Sequence, residues 1–377
     1  MSFRKRGVVI GTPKPAQGAP VKAVIPNGAR PSPLDGRLTT STGTSSLDQL
    51  LAGHSGMPLG TTLLIEENGT TDFGGTLIRY FAAEGLVQGH AVHVLGCDDS
   101  WRRELPGLGS AGNEKTTKNE SASDSKMKIA WRYETLGNRS VPNRDQPLPS
   151  TAAEDSQAFC HTFNLSKRLE AKDIKGQLSG YPVGPFMGQA SSSPFKMFVA
   201  KLSASLETTP PSTVHRVAIP NLLSPTVYTS LACHPQEVLQ LLHALRGLSR
   251  RFATKLVIMI TLPVSLYPRA AGLTRWIELL NDGVLELVPL QQRPHLEKDP
   301  KKEDKAQGML KVHSLPIFHE KGGGMDESWR REDLSFKLSA SSGLIITPYS
   351  LPPIEDEDPK PSAEKKKQEE AKKSLEF

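Results

Sequence analysis

Four residues near position 70 have the types and the spacing of a loop that binds a nucleotide. Gly69 and Gly74 occupy the two glycine positions of the pattern G-x-x-x-x-G-K-[ST], and Thr76 occupies its hydroxyl position. In an active loop, backbone N–H groups surround the phosphates, the lysine pairs with the outer phosphates and the hydroxyl holds magnesium. Gly75 stands at the lysine position, so that charge is missing. The spacing predicts a degenerate nucleotide loop, and an ordinary glycine-rich turn before a helix is the alternative.

The segments around the loop supply the context that such a site needs. Residues 61–67 form a short apolar run typical of a strand, and residues 76–84 have helical spacing. Further along, an apolar strand at 214–219, a helix at 235–252 with an apolar stripe and a buried strand at 256–262 follow one another. We therefore expect an α/β fold with a mostly parallel, twisted sheet flanked by helices on both faces.

A motif that precedes the first of these strands resembles a known family. Residues 42–53 read T-G-T-S-S-L-D-Q-L-L-A-G, which is similar to the start of a RecA-like ATPase core. The similarity is closer to the PAXNEB family, the fourth subunit of the Elongator complex, in which the motif continues as G-T-x-L-L-I-E-E and the loop lysine is also absent. Residues 126–133, K-M-K-I-A-W-R-Y, match the same family letter for letter. The resemblance covers about residues 40–353 and is interrupted by three insertions.

The resemblance implies a RecA-like subunit of a heterohexameric ring built with the fifth and sixth Elongator subunits. Such a ring binds tRNA and assists the catalytic core of the complex in the carboxymethyl-type modification of the wobble uridine. We then expect no catalytic residue, no metal and no firmly bound cofactor in this chain, with ATP or ADP as the candidate ligand at the ring interfaces. In an active RecA-like ATPase the strand 214–219 would end in an aspartate that holds magnesium, whereas Pro220 and Asn221 follow it here.

Two other functions belong to the same group of folds. A free-standing RecA-like ATPase or recombinase would need the lysine and the carboxylate that Gly75, Pro220 and Asn221 replace. A pure scaffold would assemble into the same ring as the tRNA-binding subunit but would bind no RNA. Filter binding of tRNA to the purified ring separates the scaffold from the tRNA-binding subunit.

Three residues after the strand 256–262 are candidates for RNA contacts. Tyr267, Arg269 and Arg275 fall in residues 263–276, which we predict to be a loop. In RecA-like rings the corresponding loops point into the central channel. Basic and aromatic residues there suit phosphates and exposed bases. A surface loop whose aromatic residues pack beneath it is the alternative.

Three arginines near the end of the helix 235–252 are candidates for an interface. Arg246, Arg250 and Arg251 lie where cations stabilise the helix dipole, which is sufficient to explain them. The alternative is that one of them reaches the nucleotide pocket of a neighbouring subunit.

The composition sets the domain organisation of the 377 residues. The net charge is +6, and residues 1–34 contain six basic residues and no acidic one. The three cysteines are widely spaced, so we expect reduced thiols and no zinc site. No apolar run approaches the roughly 20 residues of a membrane span. The resemblance implies a protein of the cytoplasm and nucleus. We predict a basic disordered arm (1–40), a RecA-like domain (41–353) with insertions near 105–125, 137–195 and 291–307, a helical fragment at 163–172 and a charged disordered tail (354–377).

Overall fold

The computed structural model describes residues 25–51, 53–109, 158–183, 193–290, 306–316, 333–340 and 343–349. Its helices are α1 (Ser45–Leu50), α2 (Phe73–Gln88), α3 (Lys196–Thr208), α4 (Pro235–Arg251) and α5 (Gly272–Leu280). Its strands are β1 (Ala29–Pro31), β2 (Leu38–Thr40), β3 (Met57–Pro58), β4 (Thr62–Glu67), β5 (Ala91–Leu95), β6 (Pro106–Leu108), β7 (Phe163–Arg168), β8 (Gln177–Tyr181), β9 (His215–Ile219), β10 (Leu256–Pro263), β11 (Gly283–Pro289), β12 (Gly308–Ser314), β13 (Leu334–Ser339) and β14 (Gly343–Pro348). None of the helices described here combines the length and the apolar character that crossing a membrane requires.

Nine strands form the central sheet, in the order β8-β5-β9-β10-β4-β11-β12-β13-β14. The six strands from β8 to β11 run parallel, and β12, β13 and β14 continue the sheet with antiparallel pairing. The strand before the glycine loop, β4, lies between β10 and β11 inside the parallel part. The predicted α/β fold with a mostly parallel sheet flanked by helices is confirmed.

Alternation along the parallel strands divides the core into two clusters, one on each face of the sheet. In β4, Leu63 and Ile65 pack in the cluster that contains α2, whereas Leu64 packs with α3, α4 and α5. Successive side chains of a strand point to opposite faces, so a strand covered on both faces needs a continuous apolar run. The apolar stripe of α4, which includes Leu241 and Leu245, covers the second face as its spacing predicts.

The last part of the predicted disordered arm is ordered. β1 and β2 lie within residues 25–40, where β1 pairs with β2 and β2 pairs with β3, both antiparallel. Strands of three residues carry no periodic signal, and tertiary contacts fix them instead. The Thr40 hydroxyl donates to the Gly28 carbonyl (2.9 Å) and accepts from Arg216 Nη2 (2.7 Å).

The predicted helical fragment at 163–172 is wrong. That segment forms β7 and a 3₁₀ turn at Ala171–Asp173, because β7 pairs antiparallel with β6 and buries Phe163. The predicted insertion 137–195 also contains β8, which pairs parallel with β5 as the edge strand of the central sheet. The segment 126–133, most of the insertions near 105–125 and 291–307, and the tail 354–377 lie outside the described residues.

Candidate functional site

The glycine loop joins β4 to α2 at the carboxyl ends of the parallel strands. Gly69 has a φ of +94°, a left-handed conformation that favours glycine. Because α2 begins at Phe73, Gly74 and Gly75 lie in its first turn. Their N–H groups belong to a helix N-terminus, which stabilises an anion. The segment therefore has the strand, loop and helix of a phosphate-binding loop.

The anion at this helix N-terminus is a side chain of the protein itself. Glu67, the last residue of β4, accepts hydrogen bonds from the backbone N–H groups of Phe73 and Gly74, both at 2.8 Å. Its carboxylate also accepts from the hydroxyl of Thr71 at 2.7 Å. Burial raises the pKa of Glu67, and these three donors act in the opposite direction. Backbone N–H groups that would surround a phosphate are thus bonded to a buried carboxylate.

The lysine and hydroxyl positions of the loop are also occupied by internal contacts. A Cβ atom at position 75 would overlap the carboxylate of Asp72, which Arg79 Nη2 holds at 2.7 Å. The Thr76 hydroxyl donates to the Asp72 carbonyl at 3.0 Å, and its side chain is buried. A lysine at position 75 would therefore require Asp72 to move, and the threonine hydroxyl is turned to the backbone.

The second strand of a nucleotide site, β9, ends without a carboxylate. Pro220 and Asn221 follow it, and the Asn221 N–H donates to Thr261 Oγ1 at 2.7 Å. Asn221 has a φ of +47°, a conformation that asparagine tolerates better than most residues. Within the described ranges, no group of three or more His, Cys, Asp or Glu side chains could hold a metal ion.

A buried carboxylate beside the glycine loop was missed by the sequence analysis. Glu66 is 0% exposed, and neither of its carboxylate oxygens accepts a hydrogen bond from the residues described. The nearest cation is Arg269, whose Nε lies 3.2 Å from Glu66 Oε2. Burial, followed by repulsion from Glu278, raises the pKa of Glu66 to about 8. The consecutive glutamates that end β4 were a signal of this site, because one of them must face inward.

Arg269, one of the predicted RNA contacts, is bonded within this group. Its guanidinium donates to both carboxylate oxygens of Glu278, from Nε at 2.8 Å and from Nη2 at 3.1 Å. Its Nη1 lies 3.2 Å from His313 Nδ1, and the other nitrogen of that imidazole lies 2.8 Å from Glu286 Oε2. Arg269 therefore neutralises carboxylates from β4 and α5.

The other two predicted RNA contacts, Tyr267 and Arg275, have different surroundings. The Tyr267 hydroxyl donates to the Leu223 carbonyl at 3.0 Å, so it holds the segment that follows β9. Arg275 is exposed on α5, and residues 272–280 are a helix where we predicted the end of a loop. The helix forms because Thr274, Ile277 and Leu280 are buried at helical spacing. Its outer face carries two exposed apolar side chains, Trp276 (55%) and Leu279 (68%).

The three predicted interface arginines have partners at the end of the sheet where the parallel strands begin, opposite the glycine loop. Arg246 Nη1 donates to the Leu279 carbonyl at 3.1 Å. Arg250 pairs with Asp282 at 2.7 Å and Arg251 with Glu207 at 3.1 Å. The carboxylate of Asp282 also accepts from the N–H of Thr62, the first residue of β4. These arginines are therefore distant from the glycine loop of their own chain.

The motif at residues 42–53 has a structural role. Asp48 is buried and accepts hydrogen bonds from the N–H and hydroxyl of Thr42, both at 2.7 Å, and from the hydroxyl of Ser41 at 2.5 Å. Burial raises the pKa of Asp48 to about 6. The Ser41 carbonyl in turn accepts from Arg216 Nη1 at 2.8 Å, so the motif joins the start of α1 to the central strand β9.

Comparison with known proteins gives consistent results. The family model described as PAXNEB protein matches residues 21–377. Elongator complex protein 4 of Schizosaccharomyces pombe is 32% identical, over 95% of this chain and 94% of that protein. The proteins of the same name from Homo sapiens (29% identical, 86% and 80% covered) and Saccharomyces cerevisiae (27%, 78% and 70%) are similar as well. Among solved structures, a KaiC-like protein of Pyrococcus horikoshii is 13% identical over 84% of this chain and 100% of that one, with a TM-score of 0.40.

Proposed function

The chain belongs to the PAXNEB family, and on that premise we propose that it is the fourth subunit of an Elongator complex and hydrolyses no nucleotide itself. In this proposal it forms a heterohexameric ring with the fifth and sixth subunits, contacts the catalytic core and binds tRNA. The ring supports the carboxymethyl-type modification of the wobble uridine, and the chemistry takes place in another subunit. The cytoplasm and the nucleus are the proposed locations.

The contact between Glu67 and the N-terminus of α2 is the observation that carries the proposal. A phosphate placed against the N–H groups of Phe73 and Gly74 would have to displace a carboxylate bonded at 2.8 Å to each. Two like charges at this distance repel strongly in a buried site. The lysine that would compensate for a phosphate is replaced by Gly75. This favours a RecA-like domain kept for assembly over a free-standing ATPase.

The two ends of the parallel strands, carboxyl and amino, give the chain two different surfaces for a ring. The glycine loop lies at the end of β4, whereas Arg250 and Asp282 pair beside its start. A head-to-tail ring sets one surface of each subunit against the other surface of the next. This supports the proposal that Arg246, Arg250 and Arg251 face a neighbouring subunit. ATP or ADP is the proposed ligand at such an interface.

The proposed tRNA contact narrows to Arg275 among the three predicted residues. Arg269 neutralises Glu278, and the hydroxyl of Tyr267 is bonded to the backbone, so both have roles inside the chain. Arg275 is exposed next to Trp276, and this combination suits a phosphate with an adjacent base. Tyr267 and Arg269 then shape the surface, and Arg275 makes the contact.

Phosphate release by the purified chain, alone and within the assembled ring, tests the proposal. We expect no release above a no-protein control from the chain alone, and any activity of the ring should persist in Thr76→Ala. Hydrolysis by the isolated chain that Thr76→Ala abolishes would favour the free-standing ATPase. Filter binding of tRNA to the same ring separates the proposed subunit from a scaffold that binds no RNA.

A further inference from the structure

A groove of about 560 Å³ separates α3 from α4 on the outer face of the molecule. Its floor is apolar and includes Phe195, Leu241 and Leu248. Side chains at helical spacing on both helices form its walls: Lys196, Val199, Ala200 and Ser203 from α3, and Gln240, Ala244, Gly247 and Arg251 from α4. The groove has the shape and the lining of a site for an apolar helix face.

Gly247 has a cost that no contact among the described residues explains. It lies in the interior of α4 and is exposed, and in the described part of the chain no atom outside its own helix backbone lies within 4 Å of the position that a Cβ would take. Glycine in a helix interior destabilises a protein by about 1 kcal/mol relative to alanine. The glycine widens the groove at its centre, so the groove rather than the fold benefits from it.

The charges at the groove indicate the chemistry of its occupant. Lys196 lines one end, and Arg251, which pairs with Glu207 at 3.1 Å, lines the other; none of the described residues that line the groove is acidic. The distance spanned by α3 from Lys196 to Glu207 corresponds to a helix of about 17 Å, or three turns. An occupant of that length that complements Lys196 carries a carboxylate near the end that this lysine lines.

A second copy of this chain does not match those charges. Among the residues that the structure describes, the most exposed apolar side chain on a helix is Leu279, next to Trp276 on α5. Arg275 is adjacent in sequence, and Arg246 Nη1 donates to the Leu279 carbonyl. Docking of this face would bring arginines against Lys196 and Arg251.

We propose that the α3–α4 groove binds a three-turn helix from another Elongator subunit, with an apolar face and a carboxylate near the end that meets Lys196. The inference rests on the proposed function for the origin of this helix. The groove is separate from the glycine loop and from the exposed face of α5. It shares Arg251 with the proposed ring surface and extends along the face of the sheet covered by α3 and α4.

Two substitutions at Gly247 test the groove without removing any existing contact. The full chain, co-expressed with the other Elongator subunits, carries Gly247→Ala or Gly247→Trp. Both replace glycine by a better helix former, so both variants should melt above the wild type, by about 2–3 °C for alanine. The alanine variant leaves most of the groove open and should co-purify with the same subunits as the wild type. Tryptophan places an indole across the centre of the groove, and co-purification of one subunit should weaken at least about tenfold.

A photo-crosslinking residue at Gln240, which lines the groove, identifies the occupant. A crosslink to an acidic helix of another subunit, lost in Gly247→Trp, is the expected result. A crosslink to residues 354–377 of the same chain, or to a second copy, would overturn the inference. Equal capture by the wild type and Gly247→Trp would overturn this inference alone, whereas capture of no Elongator subunit by the wild type would overturn the proposed function as well.

Discussion

Replacing Glu67 by alanine should convert the glycine loop into a site for phosphate. The substitution removes the acceptor for the N–H groups of Phe73 and Gly74 and for the Thr71 hydroxyl. Loss of an acceptor at a helix N-terminus costs about 1–2 kcal/mol. Burial raises the pKa of Glu67, so the ionised carboxylate already bears a desolvation cost, and the net loss should lie within this range. The melting temperature should fall by about 4 °C.

Phosphate should then restore stability to the alanine variant and leave the wild type unchanged. For a dissociation constant of about 10 mM, 100 mM phosphate stabilises the folded state by about 1.4 kcal/mol. Differential scanning fluorimetry at constant ionic strength, with phosphate, pyrophosphate or ATP, measures the effect. Glu67→Gln is the matched control, because its amide fills the same space without a charge and should not respond to phosphate.

Two results would refute the reasoning about Glu67. If phosphate or ATP raises the melting temperature of the wild type as much as that of Glu67→Ala, the carboxylate does not block the loop. If neither protein responds while the alanine variant is destabilised, Glu67 is a helix cap, and the position it fills has no affinity for anions.

Three further predictions concern charged residues around the sheet. Glu66→Gln should flatten the pH dependence of stability. The pKa of Glu66 is about 8 in the folded state against about 4.5 in the unfolded state, so unfolding releases a proton between these values and the stability of the wild type should fall by up to about 1.4 kcal/mol per pH unit as the pH rises. Equal melting curves of both proteins at pH 5 and pH 9 would contradict this. Arg275→Ala should leave the melting temperature unchanged but lower the salt dependence of tRNA binding by a slope of about 0.7–0.9, and a deletion of residues 1–34 that alone abolishes binding would assign the RNA contact to the basic arm. Arg269→Ala, which leaves the largely buried carboxylate of Glu278 without its bidentate partner, should destabilise the fold by about 2–3 kcal/mol. Arg250→Ala should change the free energy of unfolding by less than about 1 kcal/mol, because the pair of Arg250 with Asp282 is half exposed. The same variant should weaken ring assembly in sedimentation velocity, and unchanged assembly would show that Arg250 is not part of the interface.

The elements that the sequence predicts well are those in which one periodic signal determines the structure. The apolar stripe of α4 and the continuous apolar run of β10 are examples, since burial on one helix face or on both strand faces depends on local sequence alone. The spacing of Gly69 and Gly74 located the loop because it too depends on local sequence alone. The first turns of α5 escaped prediction because its exposed face carries Trp276 and the helix begins at a glycine.

The parts of the candidate site that could not be predicted depend on contacts between distant segments. Arg269 has the composition of an RNA contact, but its carboxylate partners Glu66 and Glu278 come from β4 and α5 and meet only in the folded sheet. Glu67 is close in sequence to its donors, yet only the register of β4 places its carboxylate against the N-terminus of α2. A sequence motif thus reports the loop, and packing determines what the loop can bind.

The mass of the assembly that contains this chain tests the central claim most directly. That claim is that a RecA-like domain whose phosphate position is filled by Glu67 functions through assembly and hydrolyses no nucleotide. Native mass spectrometry of the chain co-expressed with the fifth and sixth Elongator subunits should give a hexamer with two copies of each chain, formed equally with and without ATP. A single monomeric species that the partner subunits leave unchanged, or a homo-oligomer that forms only with ATP, would contradict the account.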